Sequence, residues 1–412
     1  MGLLKTFFII FIFFLFPLGE IARYQFGNGI SVTGIDIGTL LLIVVWLTVN
    51  IIRRKEKRIL KSSLAKPIFL FIAACILSLV INIPNLKSWE LFVSSLYLLR
   101  WVMYVGIYFI VSNFDNKFKK KVPALMVISG AIILALGYVQ FFFYPNLRNL
   151  YYLGWDEHSY RMFSIFLDPN FAGTFFVLLL FLVFGLAVYC IKNKRLIYAL
   201  ALSLLASLTA IGIFLTYSRS AFIMFFVGTF TFLVLINRKR IIVPILAIFI
   251  VVFIISSKNF NIENTNLLRI SSSKARLYVA DKALTIIRDH PLFGVGFNAY
   301  RYAQIKYGFT GRKELILSHA NAGTDNSFLF VLATTGLIGF AAYIYLWYKI
   351  SNNLYILFKQ NIGLNKIIPL VLLSSHIGIS LASLFINALF YPFIMVWMWT
   401  LMGYCEKTKD YS

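Results

Sequence analysis

The residues best suited to chemistry lie in Thr324-Asp325-Asn326-Ser327-Phe328-Leu329, where an acid and an amide stand together at the mouth of a long apolar segment. His319 lies in the polar stretch that leads into them. A carboxylate or an imidazole in such a place can take a proton from a hydroxyl group. Polar groups at the edge of a bilayer are costly unless they are paired, hydrated or used. A second set is formed by Arg161, Arg219 and Arg276. Guanidinium binds phosphate oxygens with two parallel donors, so these three are candidates for holding an anion. The bland alternative is that each snorkels to outer headgroups. Their shared position beside outer span ends, with few acids nearby, favours an anionic ligand. Arg100, in Leu98-Leu99-Arg100-Trp101, falls near the middle of an apolar segment. It must face the interior of a helical bundle and find a carboxylate, backbone carbonyls or a ligand.

Local sequence says how these residues are held. Asp168-Pro169-Asn170 reads as a helix start, in which Asp or Asn would cap the free N–H groups of the next helix. Arg219 sits in Thr216-Tyr217-Ser218-Arg219-Ser220, a very tight turn between two apolar segments. Arg276 opens an amphipathic segment with Leu277, Ala280, Leu284 and Ile287 on one face, as expected of a helix lying on a membrane or capping a cavity. That segment ends at Asp289-His290-Pro291-Leu292-Phe293-Gly294-Val295-Gly296. Pro stops the helix and the glycines allow a tight turn, although two glycines could also present N–H groups to a phosphate. The aromatic run around Tyr151, Tyr152, Trp155 and Tyr160 is either an interfacial belt or a stacking surface for sugar rings.

The composition decides the class. Of 412 residues 60% are hydrophobic and only 13% charged, about half the charge of a soluble protein, and the mean hydropathy is +0.83. Twelve apolar runs approach membrane-spanning length: 4–19, 33–52, 65–83, 91–112, 122–143, 171–191, 196–216, 220–237, 241–257, 326–349, 366–384 and 387–404. The expected fold is therefore an all-α polytopic membrane protein, a single integral membrane domain over 1–412. It carries two larger outer loops, 144–170 and 258–325, the second containing the amphipathic helix. Alternate loops are rich in Lys and Arg, which places both termini on the cytoplasmic side. The same loops account for most of the +24 net charge, so no nucleic-acid partner is needed; membrane lipids are the expected contact. Cys75, Cys190 and Cys405 are scattered and make neither a disulfide framework nor a metal site. His376, in mid-span, reads as a structural histidine.

The order of these motifs resembles the O-antigen ligase and polymerase superfamily. The resemblance is carried by Arg161-x-Phe163 with Asp168-Pro169-Asn170, then Ser218-Arg219-Ser220, then Arg276 with His290-Pro291-Leu292-Phe293-Gly294-Val295-Gly296, then Asn326-x-x-Leu329 with Gly336-x-x-Gly339. It implies a metal-independent, membrane-embedded C-type glycosyltransferase without a cofactor, acting on sugars carried by undecaprenyl pyrophosphate. Residues matching Arg219 and Arg276, and less closely Arg161, are implied to hold the pyrophosphate. Arg100, Asn326, Asp168 and Asn170 are supporting residues. One departure is plain: the ligases carry His-Asn where this chain has Asp325-Asn326, and that His is taken as catalytic. Peptidoglycan polymerases of related architecture use an outer-loop Asp, so Asp325 or His319 remains a candidate base.

The function expected is that of a polymerase or ligase of a cell-surface polysaccharide, on the outer face of a bacterial cytoplasmic membrane. Its partners would be a lipid-linked oligosaccharide and other polysaccharide-assembly proteins. The rival is a transporter of the same lipid-linked sugar, a flippase or permease. Transporters often show related halves and charged helices at mid-membrane, and this chain shows no similarity between halves.

Overall fold

The computed structural model describes residues 2–27, 29–52, 62–241, 271–311 and 323–406. Helices dominate, because a backbone surrounded by lipid has no hydrogen-bond partner but itself. α1 (Gly2–Ile10) passes through a π-helical turn, Phe11–Leu15, into α2 (Phe16–Leu18). A hairpin of β1 (Arg23–Gly27) and β2 (Ile30–Thr33) comes next. α3 (Gly34–Ile52), α4 (Ala65–Ile81), α5 (Ser88–Ser112), the short α6 (Asn116–Lys119) and α7 (Val122–Phe143) follow. Then come α8 (Pro169–Lys192), α9 (Leu196–Leu215) and α10 (Arg219–Leu235). α11 (Ser271–Asp289) and α12 (Tyr300–Lys306) come next. α13 (Ser327–Gln360), α14 (Leu364–Ala382) and α15 (Pro392–Cys405) complete the described chain.

Among the described residues, eight helical stretches are long and apolar enough to cross a membrane, and α4, α10 and α15 are shorter apolar helices. Together they fall on eleven of the twelve expected runs; the remaining run, 241–257, lies outside the described residues apart from Ile241. The all-α expectation needs one amendment. β1 and β2 form an antiparallel pair in which Arg23 faces Thr33 and Tyr24 faces Val32. Gly27 and Gly29 both take positive φ, at 80° and 88°, which is what a tight reversal between strands requires.

The chain divides into two compact units. One comprises Met1–Ser129, Tyr278–Asn353 and Leu389–Ser412, the other Gly130–Leu277 and Leu354–Ala388. In the first, α15 packs on α5 so closely that a Cβ on Gly403 would lie 2.7 Å from the Tyr108 carbonyl oxygen. In the second, α14 packs on α10, and a Cβ on Gly378 would lie 2.6 Å from the Met224 carbonyl oxygen. Small residues let helix backbones approach in this way, which is the usual source of helix–helix contact in lipid.

The expected span 326–349 is not one continuous helix. Gly336 has φ 63° and ψ −168°, so α13 is two helices joined at a break. That conformation is essentially confined to glycine. The break is filled by the segment 291–296. Val295 N donates to Ala333 O at 3.0 Å and Gly296 N to Thr334 O at 3.0 Å, while Leu337 N donates to Pro291 O at 2.8 Å and Ile338 N to Leu292 O at 3.3 Å. Ser78 Oγ lies 2.7 Å from Phe293 O and 2.8 Å from Thr334 O, and Asn82 Nδ2 donates to Gly294 O at 3.0 Å. The approach is reciprocal. A Cβ on Gly294 would fall 2.4 Å from the Thr334 carbonyl carbon, and one on Gly336 would fall 2.3 Å from that of Leu292. Thus the two glycine motifs at 294 and 336 are halves of one joint, whose backbone groups are satisfied by protein rather than lipid.

α11 is amphipathic, but its buried face differs from the expected stripe. Ala283 and Ile286 are buried against Val295, Tyr300, Phe330 and Ala333, with Ile287 packed alongside. Leu277 and Leu284 are exposed. The helix has an apolar residue set on more than one side, and the joint at 291–296 decides which set turns inward.

Candidate functional site

In the second unit the starts of α8 and α10 are tied together by side chains. Asp168 caps α8, its Oδ1 accepting from Asn170 N at 2.6 Å, and Ser218 caps α10, its Oγ accepting from Ala221 N at 3.4 Å. The Asn170 side-chain carbonyl joins them: it accepts from Ser218 Oγ at 3.1 Å and from Arg161 Nη2 at 3.4 Å. Close approach is possible because Gly173 faces the turn; a Cβ there would lie 2.7 Å from Ala221 Cβ and 2.8 Å from Thr216 Oγ1. Arg161 is only 5% exposed. Its Nε donates to Thr216 O at 2.8 Å and its Nη2 to Tyr217 O at 3.3 Å. This guanidinium holds the turn that presents the next residue.

That next residue is Arg219. It is half-buried at the first position of α10, one residue before the expected span 220–237, and its Nη1 donates to Ser273 Oγ of α11 at 3.1 Å. Partial burial first, and the charge of nearby Arg276 second, hold its pKa below the usual arginine range. The bond to Ser273 ties Arg219 to the end of α11 that also carries Arg276, and the two positive charges add to the local field that an anion would meet. Ser273 and its place in α11 gave no sequence signal beyond a serine one helical turn before Arg276.

In the first unit, Asn326 is the N-cap of α13. Its Oδ1 accepts from Phe328 N at 2.8 Å and from Leu329 N at 3.0 Å. Buried Thr324 donates from Oγ1 to Asn326 O at 2.6 Å, and Ser327 Oγ accepts from Leu389 N at 3.2 Å. The loop end is thus fixed on both sides of Asp325, whose side chain is exposed. His319 lies outside the described residues.

Arg100 finds both a carboxylate and a carbonyl. Its Nη2 is 2.8 Å from Asp36 Oδ2 and also donates to Ser31 O. Tyr104 donates to Asp36 Oδ1 at 2.5 Å, and Thr33 donates to Oδ2 from N at 2.8 Å and from Oγ1 at 2.9 Å. The carboxylate of Asp36 is saturated, and the group built around it anchors the hairpin to α3 and α5. Its sequence signal was the acid in the first turn of an otherwise apolar helix. Between α7 and α8, Leu147, Phe163 and Leu167 form a small core with Trp155 packed on it, while Tyr151 and Tyr152 are exposed. Among the described residues no group of His, Cys, Asp and Glu could hold a metal ion.

Residues 204–344 match the family model described as O-antigen ligase. The matched stretch contains Arg219, Arg276, His319, Asp325, Asn326 and both halves of the glycine joint, whereas Arg100, Arg161, Asp168 and Asn170 precede it. No curated protein matches the chain. The match supports the O-antigen ligase/polymerase superfamily and, in general terms, a ligase or polymerase activity. With the apolar helices it also supports an integral membrane protein acting on membrane-embedded substrates.

Proposed function

We propose that this protein transfers glycan from an undecaprenyl-pyrophosphate carrier to an acceptor sugar hydroxyl, on the outer face of the cytoplasmic membrane, in building a cell-surface polysaccharide. The observation that carries this reading is the hydrogen bond from Arg219 at the start of α10 to Ser273, three residues before Arg276 on α11. In the reaction the acceptor oxygen forms a bond to the anomeric carbon while the bond from that carbon to the pyrophosphate oxygen breaks. Negative charge grows on the leaving pyrophosphate, and fixed guanidinium groups stabilise it without reorganising. The acceptor proton goes to a base, for which Asp325 is the first candidate and His319 the second. Energy comes from the phosphate ester of the donor, so the scheme uses neither a metal nor a cofactor.

The transporter reading would draw on the broken helix α13, since broken helices often line transport sites. Here, however, the Ala333 and Thr334 carbonyls and the Leu337 and Ile338 N–H groups at the break are bonded by residues 291–296. They are not offered to an ion or substrate, which favours transfer. The test is elongation or ligation of a lipid-linked oligosaccharide by the purified protein in liposomes. Loss of transfer in Arg219→Gln and in Asp325→Ala/His319→Ala is expected. Undiminished transfer by the latter double variant would remove the proposed base.

A further inference from the structure

None of the roles above uses Arg301, yet it is the most unusual arginine of the first unit. It lies in α12 and is 7% exposed. Its Nη1 reaches Gly29 O only at 3.5 Å, and its Nε is buried with no hydrogen-bond partner. The guanidinium packs over the ring of Tyr97, 5.2 Å from the centroid, and Arg100 packs over the same ring at 5.0 Å. Tyr97 in turn donates its hydroxyl to Gly29 O at 3.0 Å, so the carbonyl nearest Arg301 already has a better donor.

The charges around this ring do not balance. Arg100 is paired with Asp36, and Arg23, which also acts electrostatically on Tyr97, is paired with Glu20 at 2.5 Å. Arg301 has no ion pair among the described residues, leaving three guanidinium groups against two carboxylates. A buried guanidinium with an unmet donor and no counter-ion is costly, and cation–π contact offsets only part of that cost. A bound anion would remove the rest. Phosphate suits it best, with enough oxygens for Nε and Nη together and enough charge to reverse the local excess.

We propose that Arg301, on the Tyr97 shelf, binds a phosphate group of a second lipid-linked substrate, separate in its residues from the Arg219–Arg276 pair. This rests on the transfer reading and sharpens it. A ligase needs one lipid-pyrophosphate substrate, whereas a polymerase needs a donor and an acceptor that both carry the group. Two phosphate subsites therefore assign the protein as a polymerase whose acceptor is lipid-linked.

The experiment uses the full chain in detergent, titrated with geranylgeranyl pyrophosphate and read by native mass spectrometry and by thermal melting. Wild type is expected to bind two molecules, Arg301→Gln one, and Arg219→Gln/Arg276→Gln one. Arg301→Met is expected to melt at or above the wild-type temperature without ligand and to lose part of the ligand-induced rise. Retention of both molecules by Arg301→Gln, with unchanged affinities, would overturn the proposal. Should that variant fail to fold, Arg301→Lys keeps the charge but not the fork; about tenfold weaker binding at one site is expected, and unchanged binding overturns the idea. Displacement of the Arg301-dependent molecule by phosphatidylglycerol, or by inorganic pyrophosphate equally well, would make the subsite a bulk headgroup or free phosphate site and overturn the lipid-linked acceptor. If Arg219→Gln/Arg276→Gln still binds two molecules while Arg301→Gln binds one, the donor assignment fails and the Arg301 subsite stands.

Discussion

Arg100 in the first unit and Arg219 in the second both stand beside apolar helices, yet their surroundings are opposite. Arg100 meets a carboxylate that three other donors also serve, and it closes a knot joining the hairpin to α3 and α5. Arg219 has a serine hydroxyl at 3.1 Å and, as the neighbour that acts on its charge, another arginine. The first setting is what folding favours, a buried charge with its partner. The second sets two positive charges in each other's field, an arrangement suited to an anionic ligand. Arg161, close to Arg219 in the same unit, belongs with Arg100: its donors end on carbonyls and an amide. Stability and activity should therefore come apart along this line.

The largest effect is expected from Arg100→Leu, which strands the buried Asp36 carboxylate and should lower stability by about 3–5 kcal/mol. Chemical denaturation in detergent measures it. An unchanged midpoint with lost function would instead move Arg100 to the substrate and revive the transport reading. Arg219→Gln should reduce transfer by about 10²–10³-fold, or about 3–4 kcal/mol of transition-state stabilisation. Its melting temperature should not fall, and a fall would erase the contrast with Arg100. Arg161→Gln should cost about 1–3 kcal/mol of stability by leaving the Thr216 and Tyr217 carbonyls without their donors. Its loss of transfer should follow from misplacing Arg219 and so be smaller than that of Arg219→Gln at saturating donor.

The same contrast holds between adjacent residues at α13. Asn326→Ala removes a cap with two hydrogen bonds and should cost about 1 kcal/mol. Asp325→Asn should leave the melting curve in place while abolishing or slowing transfer. The smallest effect belongs to the exposed Arg148–Glu157 pair, at 2.7 Å. Hydrogen bonds from Ser159 and then Arg148 hold the Glu157 carboxyl below its ordinary pKa. A depressed folded pKa contributes stability above the unfolded value of about 4.3 and loses it as pH falls through the folded value. Glu157→Gln should flatten the melting temperature slightly over that acid window and change nothing at neutral pH. A sizeable neutral-pH effect would show that exposure alone does not separate the weak pairs from the strong.

Much was settled by the sequence alone, because lipid makes local rules severe. Apolar length marks helices where the backbone must bond to itself. Asp168 before Pro169 reads as a helix start and is a cap in the structure, and Ser218 and Asn326, read as a turn and a helix mouth, prove to be caps as well. The hairpin was also readable, in the alternation of Tyr24, Phe26, Ile30 and Val32 around two glycines, although the expected all-α fold had no place for it. What only the tertiary structure decided are the partners distant in sequence. Nothing near Arg100 names Asp36, and nothing near Arg161 shows that its donors end on the turn at Thr216. The expected span 326–349 runs straight through Gly336-x-x-Gly339, yet Gly336 is a break, because the backbone at 291–296 supplies the hydrogen bonds the helix gives up. Side-chain type limits what a residue can bind; which acceptor comes within 3 Å is set by packing, and packing brings together residues that the chain itself keeps far apart.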